Sequence, residues 1–362
     1  MKIKPLTLSL LLFTPAMLAL QPRGTKLAFA VEEGLVSKKT FTSEVQMVLD
    51  DFSMLMNGQE SPMTPDMSME NTVEFELVVS DEYVEMGDGA PAKLLRTFET
   101  LESNRSSAME VDMMGQVQSS DSSAGAESEL EGATVQFKWD EDTGEFTVSF
   151  PDDDGDEELL EGLLEDLDLR MFLPEEEVAE GDEWKVDPLA LQTILAPGGD
   201  LKLVPEESDG DDEMMMGMNS DAGNTGDWFN EDLEGEVTAT LEGMREADDG
   251  TQVAVIAIRF EISNAVDVTE EARKEMEEAE LPPEVTSMDL QSADIEMELE
   301  GEGTLLWNVA KGCAYSCEVE ADLTLIVDAA VDIAAGGMEM EIEQGMEFSG
   351  TMNATAQFGA EE

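Results

Sequence analysis

The stretch that decides the fold runs from Ala293 to Phe358, and near its start it reads Asp294-Ile295-Glu296-Met297-Glu298-Leu299-Glu300. Acidic and apolar residues alternate one for one, so a strand would turn Ile295, Met297 and Leu299 to one face and the carboxylates to the other. The odd-numbered apolar face continues through Leu305, Trp307 and Val309. After Lys311-Gly312 it resumes with Cys313, Tyr315, Cys317, Val319, Leu323 and Leu325. Past Ala335-Gly336-Gly337 the apolar parity becomes even, with Met338, Met340, Ile342, Met346, Phe348, Met352 and Phe358. Period two with an acidic opposite face predicts half-buried antiparallel strands, and the glycine-bearing breaks predict the two turns of a meander. Each strand should run roughly 15–20 residues, well beyond the common length. The expected class is therefore mainly β with minor α: a long, strongly curved antiparallel sheet, half-barrel or barrel-like. Gly301, Gly303 and Gly350 on the inward parity predict where it bends most.

Working outward, Leu233–Leu241 alternates, and Val253–Ile262 is apolar on both faces, as a central strand would be. In the N-terminal half, strands are predicted at Thr40–Leu55, Val73–Glu85, Leu94–Leu101 and Met109–Val117. Gly58–Asn71 reads as irregular and Ser119–Ser128 as a mobile loop. Val135–Trp139 and Phe146–Phe150 form a hairpin across Asp140–Gly144. Asp156–Arg170 carries Leu160, Leu163, Leu164 and Leu167 at helical spacing, with acids in the first turn and Pro174 beyond, which predicts a helix. A second helix is expected over Thr269–Ala279, stopped by Pro282-Pro283. One or both would cover the sheet. The organisation so read is a leader over 1–30, a β-rich N-terminal half over 31–205, an acidic flexible loop or linker over 206–228, and a C-terminal meander over 229–362. The halves are compatible with one continuous domain.

Lys2 and Lys4 precede the apolar segment Leu6–Leu20, and Ala28-Phe29-Ala30 offers a small-x-small cleavage site, so a signal peptide cut after Ala30 is expected. The apolar segment is short for a bilayer span. The most apolar later stretch, Leu323–Ala335, contains Asp328 and Asp332, so no transmembrane segment is expected in the mature chain. Eighteen basic residues stand against 86 acidic ones, a net charge of −68. That surface excludes nucleic acid and anionic headgroups as partners and favours cationic ones. The absence of any histidine removes Ser-His-Asp and Cys-His nucleophile sites and His-ligated zinc. The expectation is a non-enzymatic protein that is secreted, periplasmic or otherwise in the cell envelope.

Asp142-Thr143-Gly144 matches the short aspartic-protease signature, but no second copy supplies the paired carboxylate, and the site falls in a predicted turn. Asp152, Asp154, Asp156 and Glu161 lie in an acidic run resembling part of a calcium loop. Alignment on Gly155 puts Phe150 at the first ligand position, so a full EF-hand fails and only a weaker calcium or divalent-cation site would remain. Met297, Leu299, Leu305, Trp307, Tyr315, Met340, Met346, Phe348, Met352 and Phe358 share the inward face of the meander. Methionine adapts to varied apolar partners, so this face is the candidate lining for a lipid or other apolar small molecule. Ordinary core packing is the competing reading.

Long antiparallel strands, an export signal and a covering helix are together similar in plan to periplasmic lipoprotein-carrier-like half-barrels. The resemblance implies a helix at Asp156–Arg170 lying over a ligand-lined sheet. Leu173-Pro174 followed by Val178, Gly181-Asp182 and Trp184 also resembles a segment of uncharacterised exported bacterial β-rich proteins, where it forms a turn leading into a strand.

Overall fold

The computed structural model describes residues 24–61, 64–113, 116–152, 155–205, 228–230, 232–278, 285–335 and 338–360. Its strands, in chain order, are β1 (Val36–Met56), β2 (Gln59–Glu60), β3 (Asp66–Met86), β4 (Pro91–Met113), β5 (Gln116–Glu127), β6 (Thr134–Asp140) and β7 (Glu145–Ser149). There follow β8 (Glu183–Val186), β9 (Val204–Pro205), β10 (Glu234–Glu246), β11 (Gln252–Asp267), β12 (Val285–Asn308), β13 (Cys313–Ala335) and β14 (Met338–Ala360). All belong to one open antiparallel sheet, with principal order β7-β6-β4-β3-β1-β14-β13-β12-β11-β10-β8. Two α-helices, α1 (Gln192–Leu195) and α2 (Thr269–Glu278), and three 3-10 turns complete the regular structure among the described residues.

The meander forms as its alternation predicts, with strands of 24, 23 and 23 residues. The two halves join where β14 pairs with β1 from Ser37↔Ala360 to Met56↔Ile342. The sequence does not announce that seam, yet it makes one sheet of the whole chain. At the inward glycines neighbouring strands come too close for a side chain. A Cβ on Gly301 would lie 2.5 Å from the Glu320 carbonyl oxygen, and one on Gly350 would overlap the Gln46 carbonyl. Tyr315 sits at a register shift between β12 and β13, so Ala314 rather than Tyr315 stands opposite Trp307 in the core. Cys313 and Cys317 are free thiols, and burial pushes Cys317 up to about 12.

Four expectations need correction. Asp156–Arg170 is not a helix. A 3-10 turn over Glu157–Leu160 gives way to irregular chain, with Gly162 at φ +79° and Leu169 at φ +57°, and a second 3-10 turn over Arg170–Phe172. The cause is explicit: the carbonyls of Leu164 and Glu165, which a helix would use internally, accept instead from the Arg96 guanidinium. The leucine spacing still marks burial, since Leu160, Leu163 and Leu167 are all in the core. Ser119–Ser128 falls mostly in β5, which pairs with β4 from Ser103↔Ala126 to Met113↔Gln116. Most of its side chains are exposed, and a strand polar on both faces has no alternation to read. Leu94–Leu101 and Met109–Met113 belong to one strand, β4, of 23 residues, while Gln116 and Val117 open β5. The stretch Gly58–Asn71, expected to be irregular, holds the start of β3 at Asp66.

Leu173–Trp184 does lead through a turn into β8. Gly181 takes φ +88°, Asp182 Oδ2 accepts the Ala179 N–H, and Trp184 Nε1 donates to the Phe172 carbonyl. The acidic run 206–227, which makes up nearly all of the predicted loop 206–228, lies outside the described residues.

Candidate functional site

The inward face of the sheet has two zones. Over the near zone, which holds the start of β1 and the ends of β12 and β14, the insertion between β7 and β10 folds as a cap. Leu163, Leu167, Leu169, Phe172, Ile194, Leu195 and Leu201 of the cap share one hydrophobic core with Phe41, Leu77, Phe98, Ile256, Trp307 and Ala356 of the sheet. Of the proposed lining, Met297, Leu299, Leu305, Trp307, Met346, Phe348 and Met352 lie in this core. Tyr315, Met340 and Phe358 are half-buried.

The far zone is different. Met54, Met56, Ile342, Met340 and Ile333 on β1, β14 and β13, and Met67, Met69 and Met109 on β3 and β4, occupy inward positions and are all half-buried. Met69 stands directly opposite Met109, and Met340 opposite Ile333. Gln344 stands opposite Met54 and Arg105 opposite Val73 on the same inward face, so this stretch is rich in methionine but interrupted by polar side chains.

A cluster that periodicity reasoning passed over fastens the cap. Lys39, Asp81 and Arg96 stand on the inward parity of β1, β3 and β4, each 0% exposed. Arg96 holds Asp81 through Nε and Nη2, both at 2.8 Å, and donates to the Leu164 and Glu165 carbonyls at 2.8 Å. Lys39 Nζ bridges Asp81 and Asp168 at 2.6 Å each. Tyr83 donates its hydroxyl to Asp168, and Arg170 pairs with Glu165. Burial alone would pull Lys39 down, but Asp168 and Asp81 more than offset it and hold the ammonium above its ordinary range. Asp81, which burial alone would raise, is held low by Arg96 and Lys39. Both partners thus stay charged in the interior.

The neighbouring carboxylates behave oppositely. Burial pushes Glu165 up to about 7 against the pull of Arg170, and raises Asp166, whose Oδ2 has no partner among the described residues. A folded value above the unfolded one means that Glu165's contribution to stability is fully present below pH 4.5 and lost as the pH rises through about 7. Chemical denaturation at steps from pH 5 to 8 should therefore show stability falling with pH, and Glu165→Gln should flatten that fall. A parent curve already flat over the range would refute the assignment.

The outer face is acidic. A groove of about 850 Å³ crosses β10 to β14 and is lined in part by Glu236, Arg259, Glu261, Glu300, Glu302, Glu320 and Asp322. Glu300 stands opposite Glu261 on one side and Asp322 on the other. Of the expected cation ligands, Asp152, Asp156 and Glu161 are exposed, and Asp156 caps the first 3-10 turn by accepting the Glu158 N–H. Asp154 lies outside the described residues. Among those described, no three acidic or sulfur side chains are grouped to hold a metal ion. Asp142 and Gly144 form the β6–β7 turn, where Asp140 accepts both backbone N–H groups. No helix among the described residues is long and apolar enough to cross a membrane.

No family model matches the chain, and no curated protein matches it. Among solved structures, the outer membrane protein OprG from Pseudomonas aeruginosa aligns at 8% identity over 91% of this chain and 99% of its own, with a TM-score of 0.24. The COG4313 outer membrane channel from Pseudomonas putida F1 aligns at 8% identity over 91% and 97%, with a TM-score of 0.22. P. aeruginosa OccK7 (OpdD) aligns at 7% identity over 90% and 99%, with a TM-score of 0.18. Scores this low do not establish a common fold, and the sheet here is open. The similarity to lipoprotein-carrier half-barrels is not carried by these matches.

Proposed function

We propose that this is an exported, non-enzymatic protein of the cell envelope that holds an apolar molecule, such as a lipid acyl chain, against the methionine-bearing far stretch of the inward sheet face. The observation behind this reading is the half-buried methionine face of Met54, Met56, Met67, Met69, Met109 and Met340 beyond a fully packed near zone. Flexible, polarisable methionine side chains suit a ligand of variable shape. The cap packs over the Trp307 end of the meander, which leaves the Met340 end as the proposed binding surface.

Native mass spectrometry and solvent extraction of the purified protein should reveal a bound lipid-like molecule. A paired Met340→Glu, Ile342→Glu variant should lose it while keeping the parent's denaturation midpoint. Recovery of an empty protein that also fails to take up a fluorescent fatty acid at micromolar concentration would sink the proposal.

A second reading is favoured by the row Glu261, Glu300, Asp322. Like charges directly opposite across strands destabilise a sheet, which a basic partner or diffusely held divalent cations would relieve.

A further inference from the structure

The chain just before the expected cleavage point is built into the body. Thr25 and Val178 exchange both backbone hydrogen bonds, at 2.6 and 3.0 Å, and the Ala30 N–H donates to the Gly312 carbonyl at 2.9 Å. Between these anchors Leu27 and Phe29, followed by Val31, alternate inward with exposures of 2%, 6% and 8%. The Phe29 ring lies 5.9 Å from that of Tyr83 and under the Arg170 guanidinium at 5.7 Å, so it closes one side of the ionic cluster that fastens the cap. The receiving surface is shaped to match. A Cβ on Gly312 would meet the Ala30 backbone nitrogen at 2.7 Å, and one on Gly24 would meet the Glu177 side chain at 2.8 Å.

We infer that residues 24–30 stay with the exported chain as a strap across the cap, so that any leader is removed before Gly24 and not after Ala30. The inference rests on the export reading above. A peptidase acts on the chain before it folds, so burial does not itself protect the Ala30–Val31 bond. The argument is complementarity: a discarded leader needs no aromatic and guanidinium contacts for Phe29 and no glycine opposite Ala30. Cleavage after Ala30 would strip Leu27 and Phe29 from the core and open Tyr83 and Arg170 to water.

The full chain should be expressed in a bacterial host and the folded product characterised by intact mass and N-terminal sequencing. A product cut before Gly24 is expected, and a product beginning at Val31 or one that keeps its whole leader overturns the inference. Retention of the protein in the cytoplasm would count against export, whereas the N-terminus of the folded product decides the strap. In a product whose mass shows that it holds Phe29, the paired Leu27→Ala, Phe29→Ala variant should melt about 5–10 °C lower. An unchanged Tm would show the segment to be idle.

Discussion

Exchanging Arg96 for methionine is expected to cost about 3–5 kcal/mol of folding stability, read as a lower urea midpoint at unchanged slope. Arg96 is fully buried and supplies every donor that faces Asp81 from β4 and the Leu164 and Glu165 carbonyls from the cap. Methionine keeps much of the volume but leaves a buried carboxylate with Lys39 alone and two carbonyls with nothing, and orphaned buried acceptors are what make such losses large. The paired Asp81→Asn, Arg96→Met variant should lose less than the single one, since it removes the charge together with its partner. Proteolysis under native conditions should become faster in the cap, between Asp156 and Leu203, before it does in the meander. A single-variant loss under about 1 kcal/mol would mean that the cap does not depend on the cluster.

The second large effect belongs to Trp307. Its side chain is fully buried, and its cross-strand neighbours are Ala254 and Ala314, two of the smallest residues available. Volume is thus concentrated in one ring, and Trp307→Ala should cost about 3–5 kcal/mol by leaving a cavity that flanking alanines cannot fill. Phenylalanine tests a finer point. The indole Nε1 has no hydrogen-bond partner among the described residues, so Trp307→Phe removes an unsatisfied buried donor along with part of the ring. It should be clearly milder than alanine in the same denaturation assay. Equal losses would indicate that the indole N–H is satisfied in solution.

The alternation over Ala293–Phe358 carried the architecture because each strand there has one wet and one dry face. Where both faces are polar, as in β5, or where apolar residues are separated by small polar ones, as in the second half of β4, the same logic is silent. The segment Asp156–Arg170 shows a different limit: spacing told which leucines are buried but not the backbone that buries them, because Arg96, some 70 residues away in sequence, claims the carbonyls. Half of the ionic cluster was legible. Lys39 next to Phe41, Asp81 between Val79 and Tyr83, and Arg96 between Leu94 and Phe98 all break an inward apolar pattern, and in so acidic a chain a cation on that face is informative. Asp168 and Glu165 gave no such sign, since irregular chain has no parity to violate. Of the proposed lining residues, seven lie in the core that the cap completes, while the register shift puts Ala314 in place of Tyr315 opposite Trp307.

The seam between β1 and β14 sets a condition on how the protein is made. Residues 37 and 360 are register partners, so the central pairing of the sheet joins the first long strand to the last. During synthesis β1 offers one edge to β3 while the other waits for the final segment, and closing so long a loop is slow. An open strand edge invites pairing with other chains, and charged residues along it discourage that. In the far half of the seam, Asp50 and Asp51 on β1 and Glu339, Glu341, Glu343 and Glu347 on β14 give both unpaired edges the same sign until they meet. The acidity that marks the outer surface thus also discourages mispairing there while the chain is incomplete, at the cost of Asp51 standing opposite Glu347 in the finished seam.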